Sequence, residues 1–148
     1  RSRGLGDVYK RQAMISVDYL FHLDNPIFWQ GYTNNSASNM LVVYENYLMW
    51  SAVVRFPNST ISLIEIKTTT VIFSLAYQLY FIGVSVDLEN QKIKFYADSN
   101  MVEEVAFTFV EILGEDLLTY VGIRPDTGTG DLVGTLDELK FFNRVLSD

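Results

Sequence analysis

The fold of this chain is most constrained by short segments in which apolar and polar residues alternate. Residues 14–23 and 60–66 carry apolar side chains at largely alternating positions, the spacing that places side chains on one face of a β-strand. Polar turn residues stand at 24–26, 57–59 and 98–100. Short strands between regularly spaced turns predict an all-β fold, either a sandwich of sheets or a barrel.

The middle of the chain predicts a hairpin and contains one ambiguous stretch. Residues 40–44 and 47–56 predict two strands around a turn at Glu45–Asn46. Residues 68–86 hold no charged residue over nineteen positions, which approaches the length of a membrane-spanning helix. Their β-branched and aromatic residues favour two buried strands with a turn near Tyr77–Gln78 over that alternative.

Two later segments predict further strands. Residues 93–98 follow a polar turn at 87–92 and predict the return strand of a hairpin. Residues 102–112 alternate through Val105, Phe107 and Phe109, which predicts one continuous strand.

Length and composition fit one globular domain. The 148 residues are 49% apolar and 14% aromatic, enough to bury a core without cross-links. There is no cysteine, which excludes disulfides, thiol catalysis and thiolate metal sites. The net charge of −7 argues against nucleic acid as a partner, because phosphate backbones carry the same sign of charge.

The first twelve residues differ from the remainder in charge and pattern. Residues 1–12 carry four basic groups and one acidic group, whereas residues 13–148 carry seven basic and seventeen acidic groups. Residues 1–12 show no hydrophobic period and resemble translated cloning or sequencing-adaptor sequence. We therefore expect a loosely placed, non-native tail at 1–12 and a single domain at 13–148.

The last thirty residues carry a distinctive order of motifs. An apolar strand at 118–123 is followed by the glycine-rich acidic loop 124–131. A second strand from residue 134 contains Gly-x-Leu-Asp-Glu-Leu, and an Asn-Arg-x-Leu-Ser-Asp turn closes the sequence. This order resembles the C-terminal part of laminin-G-like (concanavalin A-like) jelly-roll domains, and residues 79–98 are similar to the central hairpin of that family.

The resemblance covers residues 13–148 and implies a two-sheet antiparallel jelly-roll β-sandwich that is truncated at both ends. It also implies an extracellular or cell-surface module that binds glycans or proteins, often with calcium. Two positions depart from the family pattern. Leu79 stands where a Trp is usual, and Asp98–Ser99 replaces the usual Asn/Asp-Gly turn.

The strand of the C-terminal motif predicts an irregularity. Leu136 and Leu139 are an odd number of residues apart, so an unbroken strand cannot direct both to one face. A β-bulge at Asp137–Glu138 restores the register. The bulge also directs the two carboxylates away from the core.

The sequence provides little for catalysis. His22 is the only histidine, and no Gly-x-Ser-x-Gly motif or set of zinc ligands accompanies it. Glycoside hydrolases need two carboxylates that converge on the substrate. The Glu-x-Asp-x-x-Glu spacing typical of hydrolases on this sandwich is absent, and the adjacent Glu103 and Glu104 point to opposite faces. We therefore expect a domain that is not an enzyme.

The acidic loop near the C-terminus is the best candidate metal site. Asp126 and Asp131 flank a Thr-Gly-Thr-Gly sequence, and Asp137 follows shortly afterwards. Carboxylate and backbone oxygens are the ligands that calcium prefers. Calcium is therefore the only cofactor that the sequence suggests, with ordinary turn chemistry as the alternative.

Two further sets of residues are candidates for surface roles. Trp29 precedes a glycine and a polar loop, and with Tyr32 it is a candidate for stacking on a sugar ring, with core packing as the alternative. Asn34 and Asn58 begin N-glycosylation sequons in predicted turns.

Together these patterns predict a non-enzymatic recognition module of a larger extracellular or cell-surface protein. Its partner is a glycan or another extracellular protein, bound with or without calcium, and it does not insert into a membrane. The alternatives are a structural or adhesion spacer without a small ligand and, less favoured, a carboxylate-dependent glycoside hydrolase.

Overall fold

The chain folds into two antiparallel sheets. The structure, a computed structural model, describes residues 8–17, 25–30, 39–73, 78–113, 119–122, 132 and 134–142. Strands and turns account for the regular structure within these ranges, which contain no helix. The predicted all-β class is therefore confirmed.

The described ranges contain eleven strands. They are β1 (Val8–Val17), β2 (Asn25–Gln30), β3 (Asn39–Tyr44), β4 (Tyr47–Arg55), β5 (Ile61–Lys67), β6 (Tyr80–Asp87), β7 (Lys92–Ala97), β8 (Asn100–Ala106), β9 (Glu111–Ile112), β10 (Thr119–Val121) and β11 (Gly134–Phe142). The hairpin β3–β4 and the strands β5 and β7 lie within about one residue of their predicted positions.

The strand order is that of a jelly-roll sandwich. Sheet A has the order β11-β1-β6-β7-β8, and sheet B has the order β10-β2-β3-β4-β5, with β9 paired to β4. Every one of these pairs is antiparallel. The chain crosses between the sheets four times, after β1, β5, β8 and β10, so each sheet contains strands that are distant in sequence.

The main core lies between the inner faces of the two sheets. Alternate residues of β4 and β6 point into it, including Trp50, Val54 and Ile82, all nearly or completely buried. The Trp50 ring nitrogen donates a hydrogen bond to Asn39 Oδ1 at 2.9 Å. The polar atom of the indole is therefore satisfied inside an otherwise apolar layer.

The predicted strand 102–112 is wrong as a single element. The chain leaves sheet A after β8 and joins sheet B at β9, so residues 107–110 form a corner between the sheets. The rings of Phe107 and Phe109 stack with centres 3.8 Å apart, and Phe109 stacks on Trp50 at 5.9 Å. The alternation of apolar residues continues through the corner because the core is present on both sides of it.

The uncharged stretch 68–86 is only partly as predicted. Its second half forms β6, whereas residues 68–73 form no strand. Thr68 is fully buried, and its hydroxyl accepts a hydrogen bond from Leu48 N, so this irregular segment is fixed against sheet B. The predicted turn at 77–78 lies partly outside the described residues. In the described part of the chain, no helix is long and apolar enough to cross a membrane.

Residues 8–12 do not form the loosely placed tail that their sequence suggested. They lie in β1, between β6 and β11, and their backbone pairs with β6 from Val8 to Ile15. The sheet therefore includes five residues that lie before the predicted start of the domain. Backbone hydrogen bonding is independent of side-chain pattern, so a segment without hydrophobic periodicity can complete a ladder. The proposed adaptor origin of these residues stays a prediction.

The predicted β-bulge is present in β11, one residue further along. Asp137 pairs with Met14 and Lys140 pairs with Gln12, so Glu138 and Leu139 together oppose one residue of β1. Leu136 and Leu139 both pack against the main core. An extra residue in the strand thus corrects the odd spacing of the two leucines.

The hairpin between β7 and β8 has an unusual turn. Asp98 and Ser99 have φ angles of 50° and 74°. This left-handed conformation is typical of the two central residues of a tight β-hairpin turn, and glycine adopts it most easily. Phe81 N donates a hydrogen bond to Asp98 Oδ1 at 3.0 Å, which helps to hold the turn without glycine.

Candidate functional site

The outer face of sheet B, on the side away from sheet A, is unusually apolar. In β3 the side chains alternate between Leu41 and Val43 in the main core and Met40 and Val42 in a second cluster. That second cluster also contains Trp29 and Met49, with Tyr44 and Tyr120 packed against it. Antiparallel sheets usually carry polar residues on their outer face. This face therefore differs from a simple solvated surface.

Three residues at one end of this face form the Tyr–Lys cluster, which consists of Tyr44, Tyr47 and Lys67. Tyr44 and Tyr47 are a cross-strand pair that closes the β3–β4 hairpin. Lys67 pairs with Met49 across the β4–β5 ladder, and paired residues share a face. The Lys67 ammonium lies 5.5 Å from the ring centre of Tyr44 and 4.8 Å from that of Tyr47, within the range of cation–π attraction.

The prediction that Trp29 lies at the surface is wrong. Its side chain is 0% exposed, and its ring packs edge-on against Tyr120 with centres 5.6 Å apart. The indole Nε1 is buried and has no hydrogen-bond partner among the residues that the structure describes, an uncommon arrangement for a buried donor. Trp29 is thus part of the second cluster, and its ring face is not open for stacking on a sugar.

The carboxylates of the adjacent glutamates Glu103 and Glu104 form structural contacts. Glu103 Oε1 accepts hydrogen bonds from the backbone amides of Thr69 and Thr70 and from the Thr69 hydroxyl, and so links β8 of sheet A to the turn after β5. Glu104 pairs with Lys92 at 3.2 Å.

Arg55 and Glu111 form a further ion pair at 2.9 Å between β4 and β9. Both side chains are substantially exposed, so the contact helps to position β9 with only a small contribution to stability.

The predicted calcium ligands lie mostly outside the described residues. Asp126 and Asp131 lie outside them. For Asp137 in β11 the structure describes the backbone, which pairs with Met14 of β1. Within the described ranges no three acidic or histidine side chains are grouped as metal ligands. Tyr32, Asn34 and His22 also lie outside the described residues.

Asn58 lies at the exposed tip of the β4–β5 hairpin. Its Oδ1 accepts hydrogen bonds from the backbone amide of Thr60 at 3.2 Å and from the Thr60 hydroxyl at 2.6 Å. The two polar positions of the sequon are therefore in contact with each other, as is common for an Asx turn. Whether Asn58 is modified stays a prediction.

The Tyr–Lys cluster was not singled out from the sequence. Its three residues are separated by up to 23 positions and come from three strands. One local signal was available, because Tyr44 and Tyr47 flank a two-residue turn and such positions pair directly across a hairpin. Nothing local indicated that Lys67 would lie over both rings.

The fold and this face define the class of protein. It is a jelly-roll β-sandwich, and its candidate site lies on one sheet, where partly exposed tyrosines and a lysine stand above an apolar layer. Aromatic faces and a few directed polar groups are typical of recognition sites.

Comparisons with known proteins agree on the fold. No family model matches the chain, and no curated protein matches its sequence. Among solved structures, the CBM40 of the Ruminococcus gnavus IT-sialidase, bound to α2,3-sialyllactose, is 15% identical with a TM-score of 0.68, over 99% of this chain and 80% of that chain.

Two other solved structures are similar over only part of their own length. A candidate carbohydrate-binding protein from Bacteroides ovatus is 14% identical with a TM-score of 0.71, and the match covers 99% of this chain but 40% of that one. The binding domain of botulinum neurotoxin DC, in complex with rat synaptotagmin II, is 11% identical with a TM-score of 0.63, over 95% of this chain and 33% of that chain. At such identities the likeness shows the fold, and the laminin-G-like family itself is not confirmed.

Proposed function

We propose that this domain is a non-enzymatic recognition module that binds glycans through the outer face of sheet B, as part of a larger extracellular or cell-surface protein. The observation that carries the proposal is the Tyr–Lys cluster, two half-buried tyrosines and an exposed lysine above the apolar second cluster. Tyrosine rings offer apolar faces to sugar C–H groups and hydroxyls for hydrogen bonds.

The structural neighbours support this choice over catalysis. Two of them are described by carbohydrate binding, and the described carboxylates Glu103, Glu104 and Glu111 are held in structural contacts. The same comparison supports the proposed extracellular setting, because cell-surface glycans are displayed outside cells.

A protein partner is the second candidate. It is favoured by the neighbour that was solved with synaptotagmin bound and by Ile61 and Leu63, exposed apolar residues on the edge strand β5. The third candidate is a spacer or adhesion domain without a small ligand. It would be supported if the domain bound no glycan.

The glycan function predicts that replacing Tyr47 with alanine weakens glycan binding about tenfold, because the ring is a direct contact surface and one ring contact is worth about 1–2 kcal/mol. The measurement is a glycan array followed by titration calorimetry on the strongest hit. Phe81→Ala is the matched control, because it removes a half-buried ring from the outer face of sheet A and should leave affinity unchanged. Equal losses in both variants, or no hit on the array, would contradict the proposal.

The proposal includes a calcium ion held by Asp126, Asp131 and Asp137. Carboxylate oxygens suit calcium, and Asp137 lies beside the bulge of β11, where the strand departs from regular pairing.

We expect calcium to raise the midpoint of thermal unfolding, corresponding to about 2.7 kcal/mol of stabilisation at a concentration one hundred times the dissociation constant. Asp131→Ala and Asp137→Ala should each abolish the shift. Glu65→Ala, which removes an exposed carboxylate from β5, should retain it. A midpoint that does not respond to calcium in the unsubstituted protein would remove the metal from the proposal.

A further inference from the structure

The ammonium of Lys67 occupies an unusual position for a cation on an acidic protein. The chain carries 18 acidic and 11 basic residues, and Arg55 and Lys92 each form an ion pair with a glutamate. Lys67 Nζ lies over two tyrosine rings and is within ion-pair distance of no carboxylate among the described residues.

A carboxylate is nevertheless close in the fold. Glu65 lies two residues before Lys67 in β5, so the two side chains share the outer face of sheet B. The lysine side chain extends towards the β3–β4 hairpin instead. Two ladders fix this arrangement, because β4 pairs with β3 through Tyr47 and with β5 through Met49.

The contact with the rings leaves the hydrogen-bonding capacity of the ammonium unused. Cation–π attraction arises from the charge and the ring quadrupole, and it does not consume the three N–H donors of a lysine. Lys67 therefore presents a positive charge beside two aromatic faces, and its donors bind no acceptor in the described part of the chain. Hydrogen bonds from such a donor to an anion are stronger than those to a neutral oxygen.

We propose that the Tyr–Lys cluster selects saccharides that carry a negatively charged group, with Lys67 binding the anion and Tyr44 and Tyr47 contacting the sugar ring. This inference rests on the glycan function proposed above and specifies its ligand class. A lysine ammonium is a point charge without the planar fork of arginine, so a carboxylate and a sulfate are both suitable, and the shared requirement is the negative charge.

The rest of the surface makes this local charge decisive. The overall negative charge of the chain repels anions at long range, but screening at physiological ionic strength confines that repulsion to about 8 Å. For an anion at the outer face of sheet B, the electrostatic free energy of binding then depends mainly on the nearest charged side chains. Removing Lys67 leaves Glu65 as a described charge on the same strand and face, which removes the local preference for an anion.

The test compares 3′-sialyllactose, lactose and 3′-sulfated lactose by titration calorimetry on the full chain. The first and third ligands each add an anionic group to the second. We expect both acidic ligands to bind about tenfold more tightly than lactose, the ratio of one charge-assisted contact. High salt should reduce this ratio while leaving lactose affinity unchanged.

Lys67→Gln should abolish the preference for acidic ligands and retain the weak binding of lactose. Lys92→Gln is the matched control, because it removes the same charge from a half-exposed side chain in sheet A, and it should retain the preference. Thermal unfolding of both variants verifies that they fold.

The outcomes separate the two proposals. Equal affinity for lactose and its acidic derivatives, or a preference that survives Lys67→Gln, overturns the charge selection and leaves glycan recognition in place. Absence of binding to all three ligands and to a wider array overturns glycan recognition and the charge selection with it. Preference for only one of the two acidic groups supports the inference and identifies the anion.

Discussion

Replacing Trp50 with alanine is expected to lower the free energy of unfolding by about 3–5 kcal/mol, the range for removing a large aromatic side chain from a core. Trp50 is 2% exposed, stacks on Phe109 and donates its indole hydrogen bond to Asn39. Alanine leaves a cavity between the sheets and an acceptor without its donor. Urea unfolding with a linear fit of free energy against denaturant gives the measurement.

Two tryptophan-to-phenylalanine variants separate the hydrogen bond from the ring. Trp50 and Trp29 are both buried, but within the described ranges only Trp50 has a partner for its ring nitrogen. Trp50→Phe should therefore cost about 1 kcal/mol more than Trp29→Phe, the net value of one buried hydrogen bond. If Trp50→Ala lowers the stability no more than Trp50→Phe, the assignment of Trp50 to the centre of the core is wrong.

The corner between the sheets provides the second large effect. Phe109 is 1% exposed and lies between the rings of Phe107 and Trp50, so Phe109→Ala is expected to cost about 3–5 kcal/mol. Gln91 Nε2 also donates a hydrogen bond to the Phe109 carbonyl at 3.3 Å, which fixes the backbone of the corner. Denaturant unfolding measures the loss in the same way.

Phe107→Ala is the control for this prediction. Phe107 is only half-buried, and its removal should cost about 1–2 kcal/mol because less apolar area returns to water. The double variant at Trp50 and Phe109 should be less destabilised than the sum of the single variants by at least about 0.5 kcal/mol, since the residues are in contact. Strict additivity would show that the two rings do not share one cavity.

Local periodicity and turn residues predicted those elements that residues close together in the sequence specify. The pairs around the Glu45–Asn46 turn formed as expected, because a two-residue turn between alternating segments specifies its own register. The bulge in β11 was also predictable, since Leu136 and Leu139 must both be buried and the strand period is two. Each inference needed only residues close together in the sequence.

The errors arose where the sheets exchange strands. Alternation from 102 to 112 predicted one strand, but the chain changes sheets at Phe107–Val110. An apolar residue at the corner is as buried as one within a strand, so the pattern cannot mark the crossing.

Residues 8–12 were excluded from the domain for their charge and their lack of hydrophobic period. They nevertheless pair with β6, because a ladder is formed by backbone groups.

The candidate site was predicted least well. Trp29 was expected to contact ligand and is buried, because both faces of β2 are apolar and the sequence does not show which faces are covered. The Tyr–Lys cluster depends on three strands that pair only after folding. Its recognition required the ring-to-ammonium distances.

The sequence alone determined that this protein is all-β, since the alternation of apolar residues and the positions of turns are local properties that specify strands. Tertiary structure decided which sheet each strand joins, which tryptophan is satisfied by a hydrogen bond and which lysine lies over the tyrosines. These depend on contacts between residues far apart in the chain, and the free energy of such contacts is defined only once the two sheets have packed together.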